Sequence, residues 1–181
     1  MSTWQIDPAH TDVAFSAKHL MVTTVRGKFD KVEGTLELDE DDPTRSLGEI
    51  RVAAASVSTG FEARDNHLRS AAFFDAEIHP WIHTRVTSID PAGDRWKVNT
   101  DVTIREVTRP VTFDAEFLGV VPNMQGGRHV GFHLEAKVNR KDWALDWNVA
   151  LEAGGWLVGD VITLQVDVAA DQAAGTGQKT A

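Results

Sequence analysis

Apolar and polar residues alternate with a period of two along most of this chain, and no other feature restricts its fold as much. In Val13-Ala14-Phe15-Ser16-Ala17-Lys18-His19 the odd positions carry the bulk, and Val25, Gly27 and Phe29 keep that parity against Arg26, Lys28 and Asp30. Val32, Gly34, Leu36 and Leu38 then occupy even positions. A slip of one residue turns every following side chain to the other face, so this switch requires a bulge or bend near Asp30-Lys31. The pattern returns in Ile50/Val52/Ala54, Trp96/Val98/Thr100/Val102/Ile104, Val111/Phe113/Ala115/Phe117, Val130/Phe132/Leu134/Ala136/Val138 and Ile162/Leu164/Val166/Val168. Strands apolar on one side only belong to antiparallel sheets with one buried face. Turn signals at Asp42-Pro43, Asp90-Pro91-Ala92-Gly93-Asp94 and Pro122-Asn123-Met124-Gln125-Gly126-Gly127 separate them. About eight strands result, which suits a single all-β domain over residues 1–168, a closed barrel or a sandwich.

Between Phe61 and Asp75 the alternation stops. Asp65 or Asn66 is placed to cap a short helix with Leu68, Ala71 and Ala72 on one face, lying across the barrel as a lid or plug. The stretch from Trp143 to Trp156 is rich in Trp and Gly and reads as a loop over the barrel mouth. Residues 169–181, mostly Ala, Gly, Gln and Thr, read as a disordered tail.

Composition removes several classes of function. With 42% hydrophobic residues in 181, the chain can bury a sizeable core. A net charge of -9 leaves no basic surplus for nucleic acid, and it opposes docking on anionic bilayers. No segment approaches the roughly 18 apolar residues of a membrane span, so stable insertion is not expected. Any lipid would be held in a pocket. Met1-Ser2-Thr3-Trp4-Gln5-Ile6-Asp7 lacks a basic n-region and an apolar h-region, which predicts a cytoplasmic protein. There is no cysteine for disulfide or thiolate chemistry. No nucleophile elbow, P-loop or dinucleotide fingerprint is present, and no carboxylate pair stands out by spacing, so neither catalysis nor a cofactor is expected. His10 and His19 match no zinc spacing, and Pro80 denies His79 and His83 a shared helical face; no metal site is expected.

One apolar face per strand around a closed sheet leaves either a packed core or a tunnel, and periodicity alone does not choose. Phe15, Phe29, Phe113, Phe132, Leu134 and Leu164 lie on those faces, with Phe73 from the lid and Trp143 from the mouth loop beside them. Gly27, Gly34, Ala17, Ala54, Ala115 and Ala136 on the same faces leave room for a tail. His19 shares parity with Phe15 and points inward, as scaffolding or as a head-group contact. Arg64 and His67 sit at the predicted helix start, where an N-terminus and arginines suit a phosphate or carboxylate, or else form a surface cap. His10 and Arg140 complete the candidate head-group set, with Asp142 or Asp160 as alternative structural partners for Arg140. Trp143, Trp147 and Trp156 are placed to border the entrance.

Four segments together resemble the YceI-like family of lipocalin-like, polyisoprenoid-binding barrels. They are Trp4 to Phe15 continuing through His19-Leu20 to Val25-Arg26-Gly27-Lys28-Phe29; Arg64 to Asp75 followed by His79-Pro80; Val102-Thr103-Ile104-Arg105 with Val107 to Val111; and Val138 to Trp143 leading to Leu157-Val158-Gly159-Asp160-Val161. The resemblance spans roughly residues 4–168. It implies a lipocalin-like barrel of about eight strands with a short helix across it, an open lumen, an isoprenoid or fatty ligand that is sequestered or transported, and a homodimer. Departures from the family pattern include Thr11 for Ser, His83 at a commonly aromatic position, Glu106 for a turn glycine and Trp143-Ala144 for Phe-Gly. The last three are expected to reshape the pocket. Two other readings stand beside lipid carriage: an enzyme using His10, His19 or Asp7 on a lipid-like substrate, and an interaction or stress protein with a filled barrel.

Overall fold

The computed structural model describes residues 1–172. Its strands are β1 (Ser2–Ile6), β2 (Asp12–His19), β3 (Thr23–Phe29), β4 (Val32–Leu38), β5 (Leu47–Ala53), β6 (Val57–Ser58), β7 (Trp81–Ala92), β8 (Arg95–Ile104), β9 (Val107–Pro122), β10 (Arg128–Asn139) and β11 (Val158–Gln172), with one α-helix, α1 (Glu62–Arg69), between β6 and β7. Every pairing is antiparallel, and three pairs of short strands are halves of longer staves. β1 and β2 both lie along β11, through Gln5↔Asp171 and Val13↔Val166. β3 and β4 both lie along β1 and β2, through Val13↔Phe29 and Gln5↔Thr35. β5 and β6 follow them in the same way, through Val32↔Val52 and Phe29↔Val57. Each stave pairs with its neighbours in sequence and the last pairs with the first, which closes an up-and-down barrel of eight staves.

The parity switch has the expected origin. Phe29 and Val32 both face inward, and Asp30-Lys31 between them bends the stave. Opposite the bend, a 3-10 turn (Ala54–Ser56) absorbs the distortion. Ser56 O and Oγ accept from Asp30 N and Lys31 N at 3.1 and 3.0 Å, so the break leaves these donors satisfied.

Several expectations need correction. β1 and β7 are strands that alternation did not reveal; in β7 the pattern is broken at Thr87, where the register slips between Val86↔Thr100 and Ser88↔Asn99. Asp90-Pro91 is not a turn but the end of β7, and the chain reverses around Gly93, at φ +70. Neither Asp65 nor Asn66 caps the helix. It begins at Glu62, Phe61 is its N-cap, and Asp65 reaches back to accept from Thr59 N and Oγ1 at 2.8 and 2.5 Å. Ala71 and Ala72 lie beyond its end. The chain does not become a tail at Ala169: β11 runs to Gln172, and Ala169 and Ala170 are buried against the first stave. The rest of that predicted tail, 173–181, lies outside the described residues.

One end of the barrel is packed shut. Trp4, Ile6, Val32, Leu36, Val52, Val130, Val168 and Ala170 form its cluster, with Trp4 fully buried and its Nε1 donating to Ser2 Oγ at 2.9 Å. The Arg128 guanidinium lies 5.3 Å from the Trp4 ring centroid while it clasps both carboxylate oxygens of Glu40. A second cluster, Val98, Val102, Val111, Phe113, Ala115, Ala136, Trp143 and Leu145, lines the wall nearer the opposite end.

The β8–β9 hairpin keeps its two-residue turn without the glycine. Arg105 and Glu106 both adopt the left-handed region, at φ 51 and 68. Left-handed backbone costs a residue with a Cβ about 1–2 kcal/mol. Part of that is recovered on substitution, because glycine adds freedom to the unfolded chain. Glu106→Gly, at an exposed position, should therefore stabilise the protein by about 0.5–1 kcal/mol in urea denaturation.

Candidate functional site

The barrel is not filled. A cavity of about 550 Å³ opens where the β2–β3 hairpin, α1 and the 140–157 loop gather, and it descends to Leu36, Val52 and Val168 above the packed end. Its walls are the inward faces of the staves, so the alternation that specifies the sheet also specifies the lining. Phe15, Phe29, Phe73, Phe113, Leu134, Trp143 and Leu164 line it as expected. Phe132 does not: it stacks at 5.6 Å on Phe117 and packs against the closed-end cluster. Leu68 of α1 also lines it, as its place on the lid implied, whereas sequence reasoning missed Phe61, Phe74 and Leu157, contributed by irregular segments where no period operates.

Of the small residues expected to make room, Ala17 alone borders the cavity. Gly27 is small for another reason: an added Cβ would meet Phe15 Cζ at 2.5 Å and Thr59 Cγ2 at 2.8 Å. At Gly34 the obstacle is backbone, Glu49 O at 2.3 Å. These two glycines allow side-chain and strand packing, not ligand volume. A second hollow, about 650 Å³, lies on the outer wall over Gln5, Glu33, Arg51, His83 and Arg85. His83 therefore faces away from the lumen and does not alter it.

The mouth is basic. Among the described residues lining the cavity, the titratable side chains are Lys18, His19, Arg64, His67 and Arg140. Arg64 is aimed by Thr59, with Nε donating to Thr59 Oγ1 at 2.6 Å and Nη2 to Thr59 O at 2.9 Å. Asp65 holds Thr59 in turn, so the helix start fixes the guanidinium. His67 stands edge-on between Phe73 and Trp147, with ring centroids 5.2 and 4.3 Å away. Trp147 and Trp143 border the entrance; Trp156 is half-exposed and does not line it.

Of the two tasks open to Arg140, the structure shows the structural one, with Asp160 and not Asp142 as its partner. It is 3% exposed, and its guanidinium donates to Gly159 O at 3.0 Å, Trp147 O at 2.9 Å, Val158 O at 3.5 Å and Leu145 O, and to Asp160 Oδ1 at 3.3 Å. Burial lowers its pKa from the usual arginine value, opposed by Asp160 and Asp146. With its donors engaged by the loop, Arg140 shapes the rim and has nothing left for a ligand. Trp143 Nε1 donates to Val102 O at 2.9 Å and anchors the loop from its other side. Ala144 follows in the left-handed region at φ 56, the geometry for which glycine is suited.

His10 also departs from expectation. Its side chain is 72% exposed on the outer face, where Nδ1 meets Asp7 Oδ2 at 2.5 Å, and neither residue touches the cavity. Burial pushes the Asp7 carboxyl up, but the His10 hydrogen bond and the Ala9 N–H together hold it below the usual carboxylate range. Farther along the outer face, His133 lies between Asp167 (2.6 Å) and Glu135 (3.1 Å), which raise its pKa.

In architecture this is a lipocalin-like barrel, closed at one end and hollow behind a lidded mouth. The chain belongs to the YceI-like family, whose domain profile matches residues 4–170. UPF0312 proteins of Staphylococcus aureus and Staphylococcus epidermidis are 35% and 36% identical to it over 160 residues, 88% of this chain and 91% of theirs. The YceI protein of Campylobacter jejuni superposes with a TM-score of 0.72 at 29% identity, covering 92% of this chain and 95% of that one. Burkholderia cenocepacia BcnA shares the fold, with a TM-score of 0.76 at 18% identity over 91% of this chain and 98% of its own. A polyisoprenoid-binding domain from Saccharophagus degradans also shares it, at 0.67 and 11% identity over 93% and 98%.

Two outcomes follow from these contacts. Arg140→Met leaves the Gly159, Trp147 and Leu145 carbonyls without this donor, while Asp160 keeps Lys141 at 3.2 Å; it should cost about 2–4 kcal/mol and sharply accelerate amide exchange across 144–157. Because the folded pKa of His133 is raised above its ordinary 6.5, its stabilising contribution is complete below that value and disappears as pH rises through the folded one. Thermal melts should show that loss in the wild type and lack its His133 component in His133→Asn.

Proposed function

We propose that this protein binds one chain of a lipid with an anionic head group, tail in the barrel and head at the mouth, and serves as carrier or reservoir and not as an enzyme. The observation that carries this reading is the cavity's polarity: apolar walls below, and only basic titratable groups among its described lining residues, in a protein of net charge -9. Arg64 is the principal contact, since its Nη1 makes no hydrogen bond among the described residues while Nε and Nη2 hold it in place. His19 and His67 line the same cavity, while the Lys18 amine donates to Thr24 Oγ1 at 3.0 Å. Burying each CH₂ contributes about 0.8 kcal/mol, so some fifteen carbons supply roughly 12 kcal/mol before association costs, enough for micromolar binding or better.

The polyisoprenoid named for the Saccharophagus degradans domain supports an isoprenoid tail, and family membership supports a ligand-holding lumen. The enzyme alternative loses two of its three acid–base candidates, because Asp7 and His10 do not line the cavity; His19 does, without a carboxylate among the described lining residues. A filled core is inconsistent with a cavity of about 550 Å³.

Mass spectrometry of solvent extracts of the purified protein, with titrations of polyprenyl phosphate, polyprenol and fatty acid, tests the reading. Saturable binding should favour the anionic ligands by about tenfold or more over polyprenol, as one charge-assisted contact is worth roughly 1.5–3 kcal/mol. Arg64→Gln should remove that preference, and Ala17→Trp, which obstructs the neck, should remove binding of every tail. Failure to recover any lipid, together with no saturable titration, would overturn the proposal.

A further inference from the structure

The outer wall carries a second constellation that owes nothing to the cavity. Where β1 and β11 close the barrel, one donor atom each from Asp7, His129 and Asp171 lies within 4.8 Å of the other two. His129 Nδ1 stands 2.9 Å from Asp171 Oδ1, and His10 Nδ1 stands 2.5 Å from Asp7 Oδ2. The His10 ring meets His129 edge-on, centroids 6.0 Å apart, so a fourth donor group stands beside the cluster, in contact with two of its members.

We propose that Asp7, His129 and Asp171, with His10 as the fourth donor, bind a divalent transition-metal ion of the zinc class and clip the seam of the barrel. Ligand atoms about 2.0–2.2 Å from a zinc ion lie within about 4.4 Å of one another, so small rotamer adjustments bring the three inner donors into range. Their backbones are already fixed. Asp171 pairs with both Gln5 and His129, Asp7 N donates to Ala169 O at 2.9 Å, and Thr11 Oγ1 donates to the same carbonyl at 3.1 Å. Two imidazoles and two carboxylates make a borderline donor set that suits zinc and its neighbours and disfavours calcium and magnesium, which take oxygen.

The chemistry of the cluster differs from that of an ordinary surface ion pair, as its neighbour shows. His133 sits between Asp167 and Glu135, but it meets them through opposite ring nitrogens, Nδ1 and Nε2. No single ion can therefore collect all three. At the seam the donors converge, and they come from three different staves: the β1–β2 connection, β10 and β11. The β1–β11 register consists of Gln5↔Asp171 and Ile6↔Ala170, so a metal there would cross-link a short closure.

The full-length protein, dialysed against EDTA, is titrated with zinc by calorimetry, with cobalt by visible absorption, and melted with and without metal. Saturable 1:1 zinc binding is expected, with tetrahedral d–d bands for cobalt and a Tm raised by about 5–10 °C at a hundredfold excess over Kd. His129→Ala and Asp171→Asn should each weaken binding tenfold or more, and His10→Ala, at an exposed position where folding is not at risk, should weaken it severalfold. His133→Ala should leave zinc affinity unchanged, and calcium and magnesium should neither bind saturably nor raise the Tm. Absence of saturable zinc binding, binding that survives His10→Ala and His129→Ala within twofold, or equal loss in His133→Ala would overturn the proposal.

Discussion

Closure of the last stave on the first is the interaction on which the rest of the molecule depends. β11 gives one edge to β10 from Val161 to Gln172 and divides the other between β1 and β2. An eight-stave sheet left open would present two unpaired edges and a flat apolar face. Closed, it has no free edge, and its apolar faces become a sheltered interior. The interruption at 7–11, which lets one stave serve as two strands, is held by Asp7 N and Thr11 Oγ1 on Ala169 O. The cost of this arrangement is kinetic: the closing pairs join opposite ends of the chain, and non-local pairing slows folding.

Within the closed sheet, the division between packed and hollow follows the size and position of a few side chains. Trp4 and its aliphatic neighbours fill the taper at one end. Toward the other end, Phe15, Phe29 and Phe74 stack along the wall at 5.7 and 5.6 Å without meeting across the lumen, and the cavity remains. The rim is built separately. Arg140 gathers loop carbonyls from one side, and Thr59 and Asp65 orient Arg64 from the other. The two arginines therefore differ in use: buried Arg140 is consumed by structure, and half-buried Arg64 keeps Nη1 without a hydrogen bond among the described residues.

Much of the barrel was legible because a period of two is a direct record of inside and outside. Phe15, Phe113, Leu134 and Leu164 could be placed on the lining from parity alone, and the bend at Asp30-Lys31 followed from its reversal. Legibility ended where the period was broken or absent. Thr87 hides β7, and parity does not report that Phe132, beside the bulge at Leu118, packs on Phe117 and the closed-end cluster. Arg64 and Arg140 read alike in sequence; only the carbonyls and hydroxyl that surround them in space distinguish a rim builder from a ligand contact. His10 was a head-group candidate, yet it lies in the 7–11 interruption with its side chain 72% exposed and against Asp7. Its neighbour His129 comes from the far side of the sequence, through a register that no local pattern reports.

The antiparallel pairing of β1 with the end of β11 also decides how the molecule can be held. Ser2 and Gln172 both sit at the packed end, opposite the opening. A tether or immobilising surface joined at Ser2 or Gln172 would grip the barrel by its base, leaving the entrance directed away from the support and its loops unobstructed. The fold thus gives the molecule a built-in polarity, with a handle at one pole and a port at the other.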